Sequence, residues 1–146
     1  MNQAIQDFID GKRIAVVGVS RKGNKFGNTA LAELAARGYQ VFPVHPEARE
    51  IGGAACYPNL AALRDQVDGV LVVVPPQPAV GVLREAAAAG LTNVWLQQGA
   101  ESVEGLALAG ELGLNLVAGK CVLMYAPPVR GAHGWHRAFA RLFGRL

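Results

Sequence analysis

The chain has 146 residues, 51% of them hydrophobic and 17% charged, with 14 Lys+Arg against 11 Asp+Glu for a net charge of +3. That length holds one domain, burying roughly 68–70% of its unfolded surface without disulfide staples, and the apolar content excludes a disordered chain. The positive excess is local: residues 1–128 carry ten basic and eleven acidic side chains, and Arg130, Arg137, Arg141 and Arg145 follow with no acid, so the charge does not describe a nucleic-acid-binding face.

Strand and helix signals alternate along the chain. Residues 14–19 form a short β-branched run that ends near Gly18, the first strand. Residues 29–37 carry Leu31 and Leu34 among alanines and stop at Gly38, a helix with a glycine end. Residues 39–44 are the second strand, ended by His45-Pro46. Asn59 can cap a short helix through Gln66. Residues 70–74 are an all-apolar third strand, broken by Pro75-Pro76-Gln77-Pro78; Pro78 suits the first turn of a helix through Ala89, which Gly90 closes. Residues 93–96 are the fourth strand, 101–112 a helix, and 114–117 the fifth strand.

These strands are continuous apolar runs rather than alternating ones, the pattern of strands buried on both faces. Short connections between strands and helices then predict an α/β fold: a Rossmann-like open, mainly parallel sheet of about five strands with helices on both faces. The domain spans 1–128. Residues 129–146 read as a basic amphipathic helix packed on or extending it, with Trp135, Phe139, Leu142 and Phe143 on one face; a homodimer contact, or binding to an acidic partner or a membrane surface, are the alternatives for that tail. Cys56 and Cys121 form no CxxC, so neither a secreted framework nor a zinc site is expected. The first residues lack a charged n-region and a long apolar core, and the tightest apolar run, 70–74, is far short of the ~20 residues of a membrane span. A cytoplasmic protein without a membrane span is the expectation.

Open α/β sheets bind ligands beyond the carboxyl ends of their strands. Gly18-Val19-Ser20-Arg21-Lys22-Gly23-Asn24-Lys25 follows the first strand and leads into a helix N-terminus. Small residues, a hydroxyl, three cations and a helix dipole together favour an anion, commonly phosphate. The dinucleotide fingerprint GxGxxG is absent, because Ser20 stands two after Gly18. A Walker A loop fails because Asn24 stands where Lys is needed, and a GxSxG elbow fails at Lys22. Ser20 therefore reads as a phosphate donor rather than a nucleophile. After the second strand, His45 and Pro46 stand where an NAD enzyme usually carries an acid. Arg49 suits a ribose bearing a phosphate, as in NADP or coenzyme A, or else pairs with Glu47 or Glu50 on the surface. Val74 and Pro75 make a rigid apolar rim suited to an adenine face. Leu96, Gln97 and Gln98 follow the fourth strand, where two amides can hydrogen-bond a ribose, pyrophosphate or pantetheine.

The order and spacing of Ile14-Ala15-Val16-Val17-Gly18-Val19-Ser20, Tyr39-Gln40-Val41-Phe42-Pro43-Val44-His45-Pro46, Val67-Asp68-Gly69-Val70, Val74-Pro75, Val94-Trp95-Leu96-Gln97-Gln98-Gly99 and Gly113-Leu114-Asn115-Leu116-Val117 resemble the coenzyme A-binding domain family. That family comprises stand-alone bacterial CoA-binding proteins and, more distantly, the N-terminal domain of the succinyl-CoA synthetase alpha subunit. The resemblance covers about residues 10–125. It implies that Ser20, Arg21 and Lys22 hold CoA phosphates, with Lys25 at an often basic position, that Val74 and Pro75 line the adenine, and that Leu96, Gln97 and Gln98 face the ligand. The family usually carries Lys just after the second-strand proline; here it is Glu47, so Arg49 is the candidate replacement. After the fifth strand, stand-alone members read Asp-Arg-Cys-Pro, whereas this chain reads Gly119-Lys120-Cys121-Val122 and keeps only the cysteine.

The implied ligand is coenzyme A or an acyl-CoA, bound through its phospho-ADP moiety. His45, His133 and His136 are the chain's histidines, and His133 and His136 with Cys121 make an incomplete metal set. No acid–base pair or nucleophile–base arrangement stands out, so no catalysis of its own is expected. The alternatives are an NADP-linked oxidoreductase or redox sensor, and a protein-interaction module with a vestigial nucleotide site.

Overall fold

A computed structural model describes residues 2–128; the arginine tail, with His133 and His136, lies outside them. Five strands form one parallel sheet: β1 (Arg13–Val17), β2 (Gln40–Val44), β5 (Gly69–Val72), β6 (Asn93–Gln97) and β7 (Asn115–Lys120), in the order β2-β1-β5-β6-β7. The chain runs outward from β1 to β2, then returns across the sheet to β5 and proceeds to the other edge. The switch point is therefore the gap between β1 and β5, and loops beyond their carboxyl ends flank it.

Alternate residues of these strands feed two cores. Ala15, Val70, Val72, Val94 and Leu96 pack under α3 (Pro76–Ala88), α4 (Val103–Glu111) and a 3-10 turn at Leu60–Leu63. Ile14, Val16, Leu71, Trp95 and Val117 pack under α1 (Gln3–Asp10), α2 (Phe26–Ala36) and a second 3-10 turn at Val122–Met124. Burial on both faces is what the unbroken apolar runs require.

Several boundaries differ from the sequence reading. The segment expected as a helix over 59–66 is only a 3-10 turn, although Asn59 Oδ1 does cap it, accepting from Ala62 N at 3.0 Å. Helix α2 begins at Phe26, three residues earlier than expected, which brings Asn28 into its first turn. Strand β7 runs on to Lys120 through a register shift opposite Leu96/Gln97, where Gly119 takes φ +75°. Three features were not anticipated: the second 3-10 turn at Val122–Met124, a helix and a hairpin. Helix α1 is capped by Asn2 Oδ1, which accepts from Ile5 N at 2.9 Å, and buries Ile5, Phe8 and Ile9 on the sheet. A hairpin of β3 (Glu50–Ile51) and β4 (Ala54–Ala55) turns at Gly52-Gly53 and buries Ile51.

Candidate functional site

The β1 loop and the start of α2 are held together by two close approaches. Gly18 has φ +119°, and a Cβ there would overlap the carbonyl of Val73 on the neighbouring loop. A Cβ on Gly27, in the first turn of α2, would overlap the carbonyl of Gly18. Glycine at both positions lets the loop pass flat over the helix end, the packing task that fingerprint glycines serve in dinucleotide folds. Gly27 was not singled out from the sequence, because it falls outside the GxGxxG spacing.

Ser20 sits at the centre of the loop, and its polar atoms are already engaged. Its N–H donates to Asn28 Oδ1 (3.0 Å), and its carbonyl accepts from Asn28 Nδ2 (2.9 Å). Its hydroxyl donates to Asn24 Oδ1 (3.0 Å), lies 3.3 Å from Asn28 Oδ1, and accepts from Gly23 N (3.2 Å). Asn28 thus staples the loop, a role invisible while the helix was read as starting at Thr29. The N-cap residue of α2, Lys25, makes no side-chain cap bond, and the first turn carries no acid. That helix end presents its positive dipole uncapped.

The charges around this end are unequal. Arg21 Nη2 donates to Glu47 Oε1 at 2.9 Å, joining the β1 loop to the β2 loop, with both side chains well exposed. Lys22 and Lys25 are exposed and make no ion pair among the described residues. Arg49 is exposed as well, and the surface pairing considered for it is absent among the described residues: Glu47 goes to Arg21 instead. Beside it, His45 Nδ1 accepts from the N–H groups of Glu47 and Ala48, each at 3.1 Å, so a neutral ring carries its proton on Nε2. His45 therefore shapes the turn at exposed Pro46.

Three clefts lie along the carboxyl edge. One of about 180 Å³ runs between Ser20, Arg21, Asn28 and Leu31 and the hairpin at Ile51 and Gly52. A second of about 210 Å³ is walled by Val74 and Pro75 on one side and by Gln97, Gln98 and Gly99 on the other. The third, about 290 Å³, lies past β7 against Lys120, Cys121 and Tyr125 and shares Gln98 with the second. Ligand sites commonly occupy roughly 300–1,000 Å³, so a nucleotide-sized ligand has to span more than one of these. Neither cysteine is in a disulfide, and burial pushes the Cys56 thiol above its ordinary range.

One expectation is corrected. Leu96 does not face the edge: it is wholly buried with Val94 in the core beneath α3 and α4. Side chains alternate along a strand, so Trp95 and Gln97 project to the opposite face. Gln97 is 5% exposed, and its Oε1 accepts from Val122 N at 3.0 Å. Gln98, by contrast, is exposed, with its N–H donating to Lys120 O at 3.1 Å. Among the described residues no cluster of three metal-ligating side chains occurs, and no helix is long and apolar enough to cross a membrane.

A parallel α/β sheet whose switch point carries a glycine-tight loop, an uncapped helix N-terminus and lysines outside any ion pair among the described residues belongs to the nucleotide-binding class of folds. The chain belongs to the CoA-binding domain family, whose model matches residues 12–127. It is 30% identical over 103 residues to the ADP-forming acetate–CoA ligase II of Archaeoglobus fulgidus, an alignment covering 69% of this chain and 15% of that ligase. The chain thus resembles the CoA-binding part of an ADP-forming acetate–CoA ligase and spans only a small share of such an enzyme. Over 111 residues it is 27% identical to the Bacillus subtilis protein YneT, covering 76% of this chain and 82% of that one. A conserved hypothetical protein from Pyrococcus furiosus superposes with a TM-score of 0.73 at 38% identity, covering 77% of this chain and 97% of that one.

Proposed function

We propose that this chain binds coenzyme A or an acyl-CoA through the phospho-ADP moiety and performs no chemistry of its own. The observation that carries this reading is the uncapped N-terminus of α2 beside Lys22 and Lys25 at the β1/β5 switch point. A pyrophosphate there would meet backbone N–H groups, a helix dipole and two cations that make no ion pair among the described residues. In this reading Gly18 lets the chain pass close to the phosphates, while Ser20 and Arg21 exchange their internal partners for phosphate oxygens. His45 and Pro46 shape the β2 loop that offers Arg49 to the ribose phosphate. Val74 and Pro75 form the flat wall against the adenine, and Gln98 contributes an amide at the adjoining rim. Leu96 takes part only by packing beneath the site.

Binding without catalysis is supported by how the reactive side chains are spent. The ring nitrogen of His45 that could act as a base accepts two backbone N–H bonds, and the partners of the Ser20 hydroxyl are amide groups of Asn24, Asn28 and Gly23, none of them a general base. Residues 1–128 then make up one binding domain.

Calorimetry with CoA, dephospho-CoA and NADP on one preparation tests the proposal. CoA is expected to bind, more weakly once the 3′-phosphate is removed. No binding of any of the three overturns the reading. Tighter binding of NADP than of CoA replaces it with an NADP-linked protein.

A further inference from the structure

Helix α4 is apolar on both sides. Gly105, Leu108 and Ala109 are buried, with Leu108 and Ala109 in the core shared with α3. Val103, Leu106, Ala107 and Gly110 make a second stripe on the opposite side, at the helical spacing i, i+3, i+4, i+7, and all four are exposed. Val103 is 87% and Leu106 45% exposed, so two of the four large apolar side chains exposed among the described residues share this stripe. A Cβ on Gly110 would meet nothing within 4 Å. A single exposed leucine is ordinary, but a contiguous apolar stripe marks a surface that another element covers.

The border of the stripe selects what fits it. Glu104 and Glu111, about two helical turns apart, flank it on one side; both are exposed and neither is in an ion pair among the described residues. Residues 101–119 contain Glu101, Glu104 and Glu111 and no Lys or Arg. A second α4 laid on this one would set acid against acid. The complement is an apolar segment with cations and no acid. Residues 129–146 have that composition: Trp135, Phe139, Leu142 and Phe143 share a helical spacing, and Arg130, Arg137, Arg141 and Arg145 accompany them without an acid. The root of this segment is fixed on the other side of the sheet. Val122 and Ala126 are buried in the core beneath α1 and α2, and Arg37 Nη1 donates to the carbonyls of Leu123 and Ala126, each at 2.9 Å. The sheet stands between this root and the α4 of the same chain, whereas the α4 stripe of a second copy has no such barrier in front of it.

We infer that residues 129–146 of one copy dock on the α4 stripe of a second copy, and that this exchange, made twice about a twofold axis, forms a dimer. The aromatic and leucine side chains cover Val103 and Leu106, and the long arginine side chains reach Glu104 and Glu111. The dimer stands apart from the CoA reading, because neither depends on the other.

Sedimentation equilibrium on the full chain tests this, and the wild-type protein is expected to be a dimer. Leu106→Glu changes a side chain that is already part-exposed, so it should fold as wild type does and weaken the dimer about tenfold or more. Arg141→Glu combined with Arg145→Glu should weaken it to a similar degree. Adding Glu104→Lys and Glu111→Lys to that pair should recover most of the loss, because the facing charges are again opposite. If a variant fails to fold, the wild type answers alone: amide exchange in residues 103–111 and in residues 135–145 must slow together as protein concentration rises. A wild-type monomer overturns the inference, even one in which the tail covers its own α4. A dimer that Leu106→Glu leaves within about twofold of wild type is built elsewhere and overturns it. So does a dimer that Leu106→Glu breaks but the arginine substitutions leave intact, since another occupant then covers the stripe.

Discussion

Glu47 offers the sharpest test of whether a ribose phosphate is held at the β2 loop. Its carboxylate occupies Arg21 at 2.9 Å, and the side chains are 61% and 71% exposed for Arg21 and Glu47. An exposed pair of this kind contributes about 0.2–1 kcal/mol to stability, so Glu47→Gln should barely move the unfolding midpoint. Its effect on a bound phosphate is larger in proportion. A ribose phosphate drawn to Arg49, two residues further along the same loop, stands near the Glu47 carboxylate. Two like unit charges about 4 Å apart cost about 1 kcal/mol even in bulk water, and a phosphate dianion roughly doubles that. Glu47→Gln should therefore tighten CoA about five- to thirtyfold, and Glu47→Lys, which adds a cation there, should do so further. Dephospho-CoA should gain much less. Calorimetry at low and high salt measures this, and the gain should shrink as salt screens it. If Glu47→Gln leaves CoA affinity unchanged, or tightens CoA and dephospho-CoA equally, Glu47 is not opposing a ribose phosphate and the placement at the β2 loop is wrong.

The remaining predictions concern the frame. Gly27→Ala pushes a methyl group into the Gly18 carbonyl and should cost about 1–3 kcal/mol, read as a lower urea midpoint. Gly110→Ala, in α4 with nothing within 4 Å of the new atom, should instead stabilise by about 0.5–1 kcal/mol. Tyr39→Phe removes a buried hydroxyl donating to Ile9 O at 2.6 Å and should cost about 1–3 kcal/mol at neutral pH. Burial pushes the Tyr39 hydroxyl from its usual 10.0 up to about 12, so the folded state holds this proton after the unfolded chain has released it. The contribution is complete below pH 10 and falls as pH rises towards 12, and the gap between wild type and Tyr39→Phe should narrow over that window in denaturant titrations. At the opposite end of the sheet, the hydrogen bond from Arg13 depresses the Asp68 carboxyl below its usual 3.8. That stabilisation is present above pH 3.8 and lost as pH falls through the lower folded value. Asp68→Asn should accordingly lower the melting temperature at pH 7 and converge on wild type in acid.

The sheet was legible because burial on both faces leaves a plain mark: 14–17, 70–72 and 94–96 are apolar without interruption, and only a strand between two helical layers needs that. The helix ends were legible for a similar local reason. Gly38 and Gly90 take positive φ one residue beyond the caps of α2 and α3, a conformation that marks itself in sequence as glycine. Helix α1 was missed although Ile5, Phe8 and Ile9 have helical spacing and Asn2 caps them; at eight residues its stability comes from packing on Trp95, with ring centroids 5.3 Å apart for Phe8, and not from propensity. The hairpin was missed because each strand is two residues long, too short for any alternation to register, leaving Gly52-Gly53 as the only signal.

The site was legible in position and less so in its chemistry, and strand parity explains part of the gap. Leu96, Gln97 and Gln98 were read as one loop facing one ligand, yet Val94 and Leu96 must share a face while Gln97 takes the other. Counting inward from Val94 already sends Leu96 to the core and leaves the two glutamines with different tasks. The β1 loop is the complementary case, since no parity rule reaches it. Its expected phosphate donor, Ser20, spends its hydroxyl on Asn24 and Gly23, and the loop is held by Asn28, eight residues away on the next helix. A loop pre-shaped by such bonds needs little ordering when a ligand arrives, which favours affinity by lowering the entropy cost. In the proposed reading the α2 dipole and the lysine cations draw the anion in, and the Ser20 hydroxyl exchanges Asn24 for it while Asn28 keeps the shape of the loop. Side-chain identity in the loop then matters through the geometry it builds, which is why this loop matches neither the dinucleotide fingerprint nor Walker A and still brings Gly18, Gly27 and the end of α2 into one tight turn.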